Sequence, residues 1–410
     1  MDAVEATERP GEEHAGALAR LVARYDPAVF DVGRPSVRIR IQSGDSAPRT
    51  GDFATQDVVI EDGEARLERP RHSPDATLSA DAETWSQISE DVRGGMKAFR
   101  QGRLKVRRDL HLGVGFLAAT ALPLSEGDGE GRLRIRQVDT AAGGISTIEA
   151  GTGEPVLMLH GLGATKASFL PTLDALTPSY RAIGVDLPGF GDSDKPLFAA
   201  YDTKFFARAM VALLDALELD SAHVVGNSMG GRVALELGLS HQDRVRRLVL
   251  LAPSMSWLKS RPWAPYLRWV PTQLGVFQPA PRPLIEMIVK QVVPGSDQEW
   301  TAAGIDEFMR SYLSPLGRAA FYAAARNIYL EEPRGPNGLW TRLGKLEPEA
   351  LFVWGRKDNI VPIGFERHVR VELPSAQHLE LECGHVPQLE RPRETHEAMA
   401  QFLASGHLGA

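Results

Sequence analysis

The chain has 410 residues, a net charge of −7, 43% hydrophobic residues and 24% charged residues. These proportions exclude a disordered chain and a fibrous repeat, and the length predicts two or three domains. The mild negative charge argues against nucleic-acid binding, which needs a broad positive field. A single cysteine, Cys383, excludes an internal disulfide framework and any four-cysteine metal site.

Neither a targeting signal nor a membrane span is predicted. Residues 1–5 lack the basic-then-apolar order of a secretory signal. The sequence also contains no run of about 18 apolar residues, which is the minimum for a membrane-spanning helix. We therefore expect a cytoplasmic protein without a transmembrane segment.

Residues 1–122 carry no catalytic constellation, and their pattern is that of a small α+β unit. Residues 76–81 predict a strand that enters a helix capped by Asp81, with Trp85 on the apolar side of that helix. Residues 94–106 predict a short helix, a glycine stop and a strand. This pattern resembles the sterol carrier protein type 2 domain, and the resemblance implies a lipid-binding α+β fold with a lipid ligand.

Several details of this region bear on that resemblance. Arg108 stands where the sterol carrier family often has glycine, at the end of a strand predicted over 104–110. Residues 113–115 (Gly-Val-Gly) loosely fit a dinucleotide-binding loop, but no acid-tipped strand follows at the required distance. Apolar residues that could face a lipid, or form ordinary core, are Met96, Phe99, Phe116 and Leu117.

A linker is predicted between this region and the rest of the chain. Residues 124–132 alternate glycines with acidic residues and a serine, a composition that favours a flexible connection. We therefore predict a sterol-carrier-like domain over 1–122, a linker over 123–131 and a second domain over 132–410. A long hairpin turn inside one domain is the alternative.

From residue 132 onward the sequence alternates strands with helices. The predicted strands cover 132–138, 145–150, 155–160, 180–186, 222–226, 247–252, 350–354 and 378–382. The predicted helices cover 165–176, 205–217, 229–239 and 394–403. Apolar strands alternating with helices predict an α/β domain with an open, mostly parallel sheet, whose chemistry gathers at the carboxyl ends of the strands.

A candidate nucleophile follows one of these strands. Residues 226–231 (Gly-Asn-Ser-Met-Gly-Gly) contain the pattern G-x-S-x-G between a short apolar strand and a helix. In that context the pattern forms a tight turn that exposes the serine, and the helix N-terminus favours negative charge beside it. Ser228 is therefore the predicted nucleophile.

A candidate oxyanion hole follows another strand. Residues 160–163 (His-Gly-Leu-Gly) form a loop whose backbone N–H groups could face a developing oxyanion. We predict that the amides of Leu162 and Met229 supply the two donors. His160 is expected to support this loop and not to act as the base.

A serine nucleophile needs a general base, and that base needs an orienting acid. His385 lies in a loop after the last apolar strand, and Asp358 lies in the loop that follows the strand before it. The order Ser228, Asp358, His385 at successive strand ends matches the order of such a triad. Other histidines lie inside a strand, at the end of a helix or in the tail: His223, His241 and His407.

Residues 132–405 resemble the α/β-hydrolase superfamily in the motifs named above. The sequence around Cys383 and His385, followed by residues 389–392 (Leu-Glu-Arg-Pro), is similar to that of bacterial lipases and monoacylglycerol lipase-like members. The resemblance implies the triad roles already assigned and a cap inserted at about residues 253–345. No metal or organic cofactor is expected.

These motifs fix the fold more narrowly than they fix the reaction that the protein catalyses. Serine at 228 disfavours the dehalogenase and epoxide hydrolase branches, which carry aspartate there. The same motif occurs in carbon–carbon hydrolases of ring-cleavage products, but these commonly have an aromatic residue where this chain has Val386. Cofactor-free haloperoxidase-type members share the triad.

We predict a carboxylic ester hydrolase acting on a lipophilic acyl substrate; the alternatives are a carbon–carbon hydrolase and a non-catalytic lipid carrier.

The first third of the predicted cap, which begins at Pro253, is rich in proline and tryptophan, which rules out a long uninterrupted helix there and suggests short elements. Residues 284–293 are apolar on most faces, with Glu286 and Lys290 four positions apart. This segment either lines an acyl pocket, through residues such as Ile288 and Val292, or packs onto the domain.

Overall fold

The computed structural model describes residues 10–30, 34–44, 54–91, 93–122, 132–257, 271–277 and 298–408, with positions 269, 281, 283 and 287. The chain forms two compact units, Met1–Arg136 and Gln137–Ala410. The predicted linker over 123–131 lies outside the described residues, as do Ile288 and Val292 of the predicted cap segment.

The first unit is built on one mixed sheet. Its helices are α1 (Pro10–Ala23), α2 (Ala82–Ser89), α3 (Met96–Arg100) and α4 (Leu110–Thr120). Its strands are β1 (Ser36–Ser43), β2 (Ala54–Glu61), β3 (Glu64–Glu68), β4 (Ala76–Ala80) and β5 (Lys105–Arg107). The strand order is β3-β2-β1-β4-β5, with β1 and β4 parallel and the other neighbours antiparallel. This is the α+β arrangement that the sequence predicts.

Side-chain caps fix the starts of two of these helices. The Asp81 carboxylate accepts the Thr84 N–H at 2.7 Å, which confirms the predicted cap of α2. The Asp109 carboxylate accepts the Leu112 N–H at 2.9 Å and begins α4. The strand predicted over 104–110 is therefore too long, because the capped helix starts directly after β5.

Helix α4 is buried along almost its whole length, which explains the apolar run that forms it. Gly113 and Gly115 lie inside this helix and not in a loop between a strand and a helix, so they form no dinucleotide-binding turn. The four apolar residues proposed for lipid contact are all buried: Met96, Phe99, Phe116 and Leu117.

The second sheet contains β6 (Arg134–Thr140), β7 (Gly143–Ala150), β8 (Glu154–Leu159), β9 (Tyr180–Val185), β10 (Ala222–Asn227), β11 (Val245–Leu251), β12 (Glu349–Gly355) and β13 (Gln377–Leu381). Its order is β13-β12-β11-β10-β8-β9-β7-β6. The strands from β8 to β13 pair in parallel, while β7 and β9 pair antiparallel. The sheet is mostly parallel, as predicted.

The helices of the second unit are α5 (Leu170–Leu176), α6 (Thr203–Ala216), α7 (Met229–Ser240), α8 (Gln298–Tyr312), α9 (Pro315–Leu330), α10 (Leu339–Leu343), α11 (Glu366–Glu372), α12 (Pro387–Glu390) and α13 (Pro392–Ser405). The helix predicted over 165–176 is divided, because a 3₁₀ turn over Lys166–Phe169 precedes α5. Pro171 has no N–H group, so it cannot make the α-helical hydrogen bond that a continuous helix would need.

The central strands β8 and β10 are apolar because helices cover both faces of the sheet. Every residue of β10 is buried, and in β8 only the first residue is exposed. The segment between β11 and β12 forms the cap, whose described part comprises α8, α9, α10 and a 3₁₀ turn over Thr272–Phe277. Within the described residues, no helix is both long enough and apolar enough to cross a bilayer.

The first turn of α7 lies so close to β8 that it leaves no room for a side chain. A Cβ at Gly230 would lie 2.0 Å from the Leu159 carbonyl oxygen. We predict that Gly230→Ala lowers the free energy of unfolding by about 1–3 kcal/mol or more, because backbone cannot move aside as a side chain can. Denaturant melts measure this loss. Gly364→Ala, whose Cβ would meet no atom within 4 Å, is the matched control and is expected to melt like wild type.

Candidate functional site

Ser228 occupies the turn between β10 and α7. Its backbone has φ 54° and ψ −113°, a region that non-glycine residues rarely adopt. The turn is held on the sheet side by a 3.0 Å hydrogen bond from the Ser228 N–H to the Leu251 carbonyl. The strained turn lifts a partly exposed hydroxyl above the carboxyl end of the sheet.

The three predicted triad residues lie in one hydrogen-bonded chain. His385 Nε2 is 2.8 Å from Ser228 Oγ, and His385 Nδ1 is 2.7 Å from Asp358 Oδ2. Asp358 Oδ1 also accepts the backbone N–H groups of Ile360 and Val361, at 2.7 and 2.9 Å. Both His385 and Asp358 are buried, so the carboxylate holds the imidazole with little competition from water. This geometry suits proton transfer from the serine hydroxyl to the imidazole.

Two supports of the histidine loop were not predicted from the sequence. The Glu390 carboxylate accepts the N–H groups of Gly384 and Val386, at 2.8 and 2.9 Å, on either side of His385. The Asn227 side-chain amide donates to the His385 carbonyl at 3.1 Å. The sequence feature that could have indicated this support is Glu390, which lies five positions after His385 and inside the lipase-like segment 389–392.

The predicted oxyanion loop lies beside the nucleophile. A Cβ at Gly161 would be 3.3 Å from the Ser228 Cβ, so the backbone before Leu162 contacts the serine turn. Met229 is the first residue of α7, where amide groups have no carbonyl partner within the helix. Both predicted donors are therefore near Ser228, Leu162 next to the glycine that contacts it and Met229 directly after it in the chain.

His160 braces this loop. Its Nε2 accepts the Leu187 N–H at 3.0 Å, and its Nδ1 donates to the Gly161 carbonyl at 2.7 Å. Complete burial lowers the pKa of His160, which favours the neutral imidazole that these two bonds require. The side chain thus links the oxyanion loop to the loop after β9, the supporting position expected for it.

Cys383 lies two residues before His385, but its surroundings suppress thiol chemistry. The side chain is buried, and burial raises the pKa of the thiol to about 12, with the Glu390 and Asp358 carboxylates acting in the same direction. The thiolate, which is the reactive form, is therefore scarce at neutral pH.

The cap presents an aromatic wall to the oxyanion loop, which we define as Phe308, Tyr312 and Phe321. Phe308 stacks on Tyr312 with ring centroids 5.0 Å apart, and Phe321 packs edge-on against both rings. A Cβ at Gly163 would lie 2.5 Å from Cε2 of Phe308, so this ring contacts the loop directly. The wall gives this side of the site an apolar surface.

The described part of the chain contains no group of three His, Cys, Asp or Glu residues placed to hold a metal ion.

Comparison with known proteins places this geometry in a family. Residues 154–392 match the alpha/beta hydrolase fold family. The chain belongs to this family. Residues 36–117 match the SCP-2 sterol transfer family, which accounts for the first unit of this hydrolase.

Relatives of the hydrolase cover its second unit. The 2-hydroxy-6-oxo-6-phenylhexa-2,4-dienoate hydrolase of Burkholderia cepacia is 29% identical over 281 residues, covering 63% of this chain and 90% of that protein. The 2-hydroxymuconate semialdehyde hydrolase of Pseudomonas sp. (strain CF600) is 30% identical over 283 residues, covering 66% and 94%. A crystal structure of a membrane phospholipase A is 28% identical with a TM-score of 0.53, covering 66% of this chain and 86% of that chain.

Removal of the nucleophile or the base is expected to abolish turnover. We predict that Ser228→Ala and His385→Ala each lower ester turnover by several orders of magnitude, and that the double variant loses little more, because the members act as a unit. Steady-state kinetics on an activated ester measure this. Ser179→Ala, at an exposed serine before β9, is the control. Full activity in Ser228→Ala would exclude Ser228 as the nucleophile.

The orienting role of Asp358 has a separate test. In Asp358→Asn the new amide would donate to His385 Nδ1 and place the imidazole proton on Nε2, where it cannot accept the serine proton. We predict a folded protein with turnover lowered by up to about 10⁴-fold. Thermal melting checks the fold and kinetics check the loss, with Asp220→Asn, at an exposed loop residue, as control. Activity near wild type would place the orienting acid elsewhere.

Proposed function

We propose that this hydrolase cleaves carboxylic esters of a lipophilic acyl substrate through an acyl-enzyme on Ser228. The observation that carries the proposal is the continuous hydrogen-bonded chain from Ser228 Oγ through His385 to Asp358, beside the oxyanion loop. These groups supply a nucleophile, a base, an orienting acid and backbone donors for the oxyanion.

The reaction then follows from the positions of these atoms. His385 Nε2 takes the proton as Ser228 Oγ attacks the acyl carbon, and the amides of Leu162 and Met229 hold the oxyanion. The tetrahedral intermediate collapses, and His385 returns the proton to the leaving alcohol. Water, deprotonated by the same imidazole, hydrolyses the acyl-enzyme and regenerates the serine. Asp358 stabilises the imidazolium that forms in each half-reaction.

The surroundings of the site support an apolar substrate. The aromatic wall offers apolar contact beside the oxyanion loop. Two cations near it, Lys166 and Arg310, have carboxylate partners, Asp186 and Asp192, while Lys195 beside them donates to backbone carbonyls. A neutral lipophilic acyl group fits these surroundings better than a substrate acid does. The likeness to a membrane phospholipase A gives further support for ester cleavage.

A second candidate is hydrolysis of a carbon–carbon bond in a ring-cleavage product. The observation that favours it is that the curated relatives named above are hydrolases of this kind. The same triad serves both reactions, so the substrate decides between them. A dienoate carries a carboxylate, which would need a cation that is not already held by an acidic side chain.

The experiment that separates the two is a substrate panel. The panel contains p-nitrophenyl esters from acetate to laurate and 2-hydroxy-6-oxo-6-phenylhexa-2,4-dienoate, each tested with wild type and Ser228→Ala. Ester turnover that rises with acyl length and vanishes in Ser228→Ala supports the proposal. A kcat/KM for the dienoate far above that for every ester would establish the second candidate instead. A fluorophosphonate probe that fails to label wild type would exclude both and leave a lipid carrier.

The first domain, for which we propose the limits 1–122 and a linker over 123–131, is proposed to bind lipid. The match to the SCP-2 sterol transfer family supports this role. A flexible linker of this length can give an effective concentration on the order of mM, so a bound substrate would be presented far above its free level.

Removal of this domain tests the delivery role. We predict that a truncated chain starting at Arg132 keeps its turnover on short, water-soluble esters and loses efficiency on long-chain esters, because its substrate supply falls. Binding of a fluorescent fatty acid or sterol to the full chain, lost on truncation, is the second measurement. Equal losses on both ester classes without lipid binding would make the domain structural.

A further inference from the structure

A buried cluster of charges lies directly behind the oxyanion loop. The Lys166 ammonium is 2.5 Å from Asp186 Oδ2 and 3.2 Å from Asp192 Oδ2. Burial alone would lower the pKa of Lys166, but the two carboxylates raise it above its ordinary value, so the ammonium stays charged. Asp186 also accepts the backbone N–H groups of Lys166 and Asp192, at 2.7 and 2.9 Å. Asp192 is therefore held in place from the core side.

The cap supplies the opposite half of this cluster. Arg310 of α8 binds Asp192 with two hydrogen bonds, Nη1 to Oδ1 at 2.7 Å and Nη2 to Oδ2 at 3.0 Å. Glu307, one turn earlier, accepts two further bonds from the same guanidinium, at 2.7 and 3.1 Å. A two-point guanidinium–carboxylate pair fixes direction as well as distance. The Asp192–Arg310 pair thus sets where α8 lies above the core.

The neighbouring residues of α8 contact the same region. The Ser311 hydroxyl accepts the Gly191 N–H at 3.1 Å, beside Asp192. Phe308, two positions before Arg310, contacts the oxyanion loop at Gly163. One short stretch of α8 therefore joins the ion pair to the aromatic wall.

We propose that the Asp192–Arg310 pair is a latch that positions α8, and that it thereby fixes the space between Phe308 and the oxyanion loop and selects the size of the acyl group. Asp192 and Arg310 are positioning residues, since their contacts described above are with each other, with Lys166 and with Glu307. The inference rests on the proposed ester hydrolase and adds the residues that determine its acyl selectivity.

The geometry separates this role from a general contribution to stability. Both side chains of the pair keep 20–24% of their surface exposed, so the pair is only partly desolvated, and its loss is expected to cost less stability than the loss of a fully buried pair. A change in where Phe308 lies, in contrast, changes the fit of every acyl group that contacts it. Selectivity is therefore expected to respond more than stability.

The test compares Arg310→Gln, Asp192→Asn and the double variant with wild type on p-nitrophenyl esters from acetate to laurate. We expect the ratio of kcat/KM between laurate and acetate to change by about tenfold through KM, with kcat on the acetate ester within about twofold of wild type. The double variant is expected to equal Arg310→Gln, because the two residues act as one pair. Arg310→Lys, which keeps the charge without the planar fork, is expected to restore the ratio in part.

The matched control is Arg370→Gln, which removes an arginine–glutamate pair on the exposed face of α11. An unchanged ratio in all latch variants would overturn the proposal. An equal change in Arg370→Gln, or a uniform loss of kcat on all esters, would also overturn it. If Arg310→Gln does not fold, Asp192→Asn and Arg310→Lys provide the same comparison.

Hydrogen exchange tests the latch independently of any substrate. Amides of α8 are expected to exchange faster in Arg310→Gln than in wild type and Arg370→Gln, with exchange in β10 unchanged. Faster exchange confined to α8 supports the latch even if wild type cleaves no ester, an outcome that would overturn only the proposed ester activity. Unchanged exchange in α8 would overturn the latch whatever the substrate.

Discussion

The site depends on close contact between the serine turn and its neighbours, the end of β8 and the predicted oxyanion loop. Glycine at 230 lets the first turn of α7 lie against the end of β8, and glycine at 161 lets the oxyanion loop lie against the serine. The unfavourable φ of Ser228 is maintained because strands on both sides of β10 hold the turn. Ser228, the helix N-terminus and the predicted oxyanion loop are therefore positioned by packing density as much as by hydrogen bonds.

Charged side chains join the returning end of the cap to this core. Arg232, one turn after the nucleophile, is buried and binds Glu236 and also Glu331, at the end of α9. Arg342 binds Glu236 from the returning chain at 2.8 Å. Such pairs contribute little net stability when desolvated, but they penalise any arrangement that separates them. Helix α7 thus anchors the returning end of the cap, while the proposed Asp192–Arg310 latch positions α8.

The sequence was most informative where function requires a residue at a strand end. The proximity of Ser228, Asp358 and His385 could be predicted because parallel strands bring their carboxyl ends together, and their catalytic roles stay a prediction. The partners of Asp192 could not be predicted, since Arg310 follows more than a hundred residues later and no local pattern links them. The division of the helix over 165–176 depended on a single proline, and the strand over 104–110 was overextended because the cap at Asp109 competes with it.

The single cysteine of the hydrolase has a consequence for its chemistry in oxidising conditions. Sulfenic acid formation and alkylation both begin with a thiolate in contact with solvent. Cys383 offers neither, because its side chain is 2% exposed and its thiol remains protonated at neutral pH. The histidine loop can therefore carry a sulfur atom two positions from the base without becoming sensitive to peroxide. Thiol-directed reagents should therefore spare the protein in its folded state.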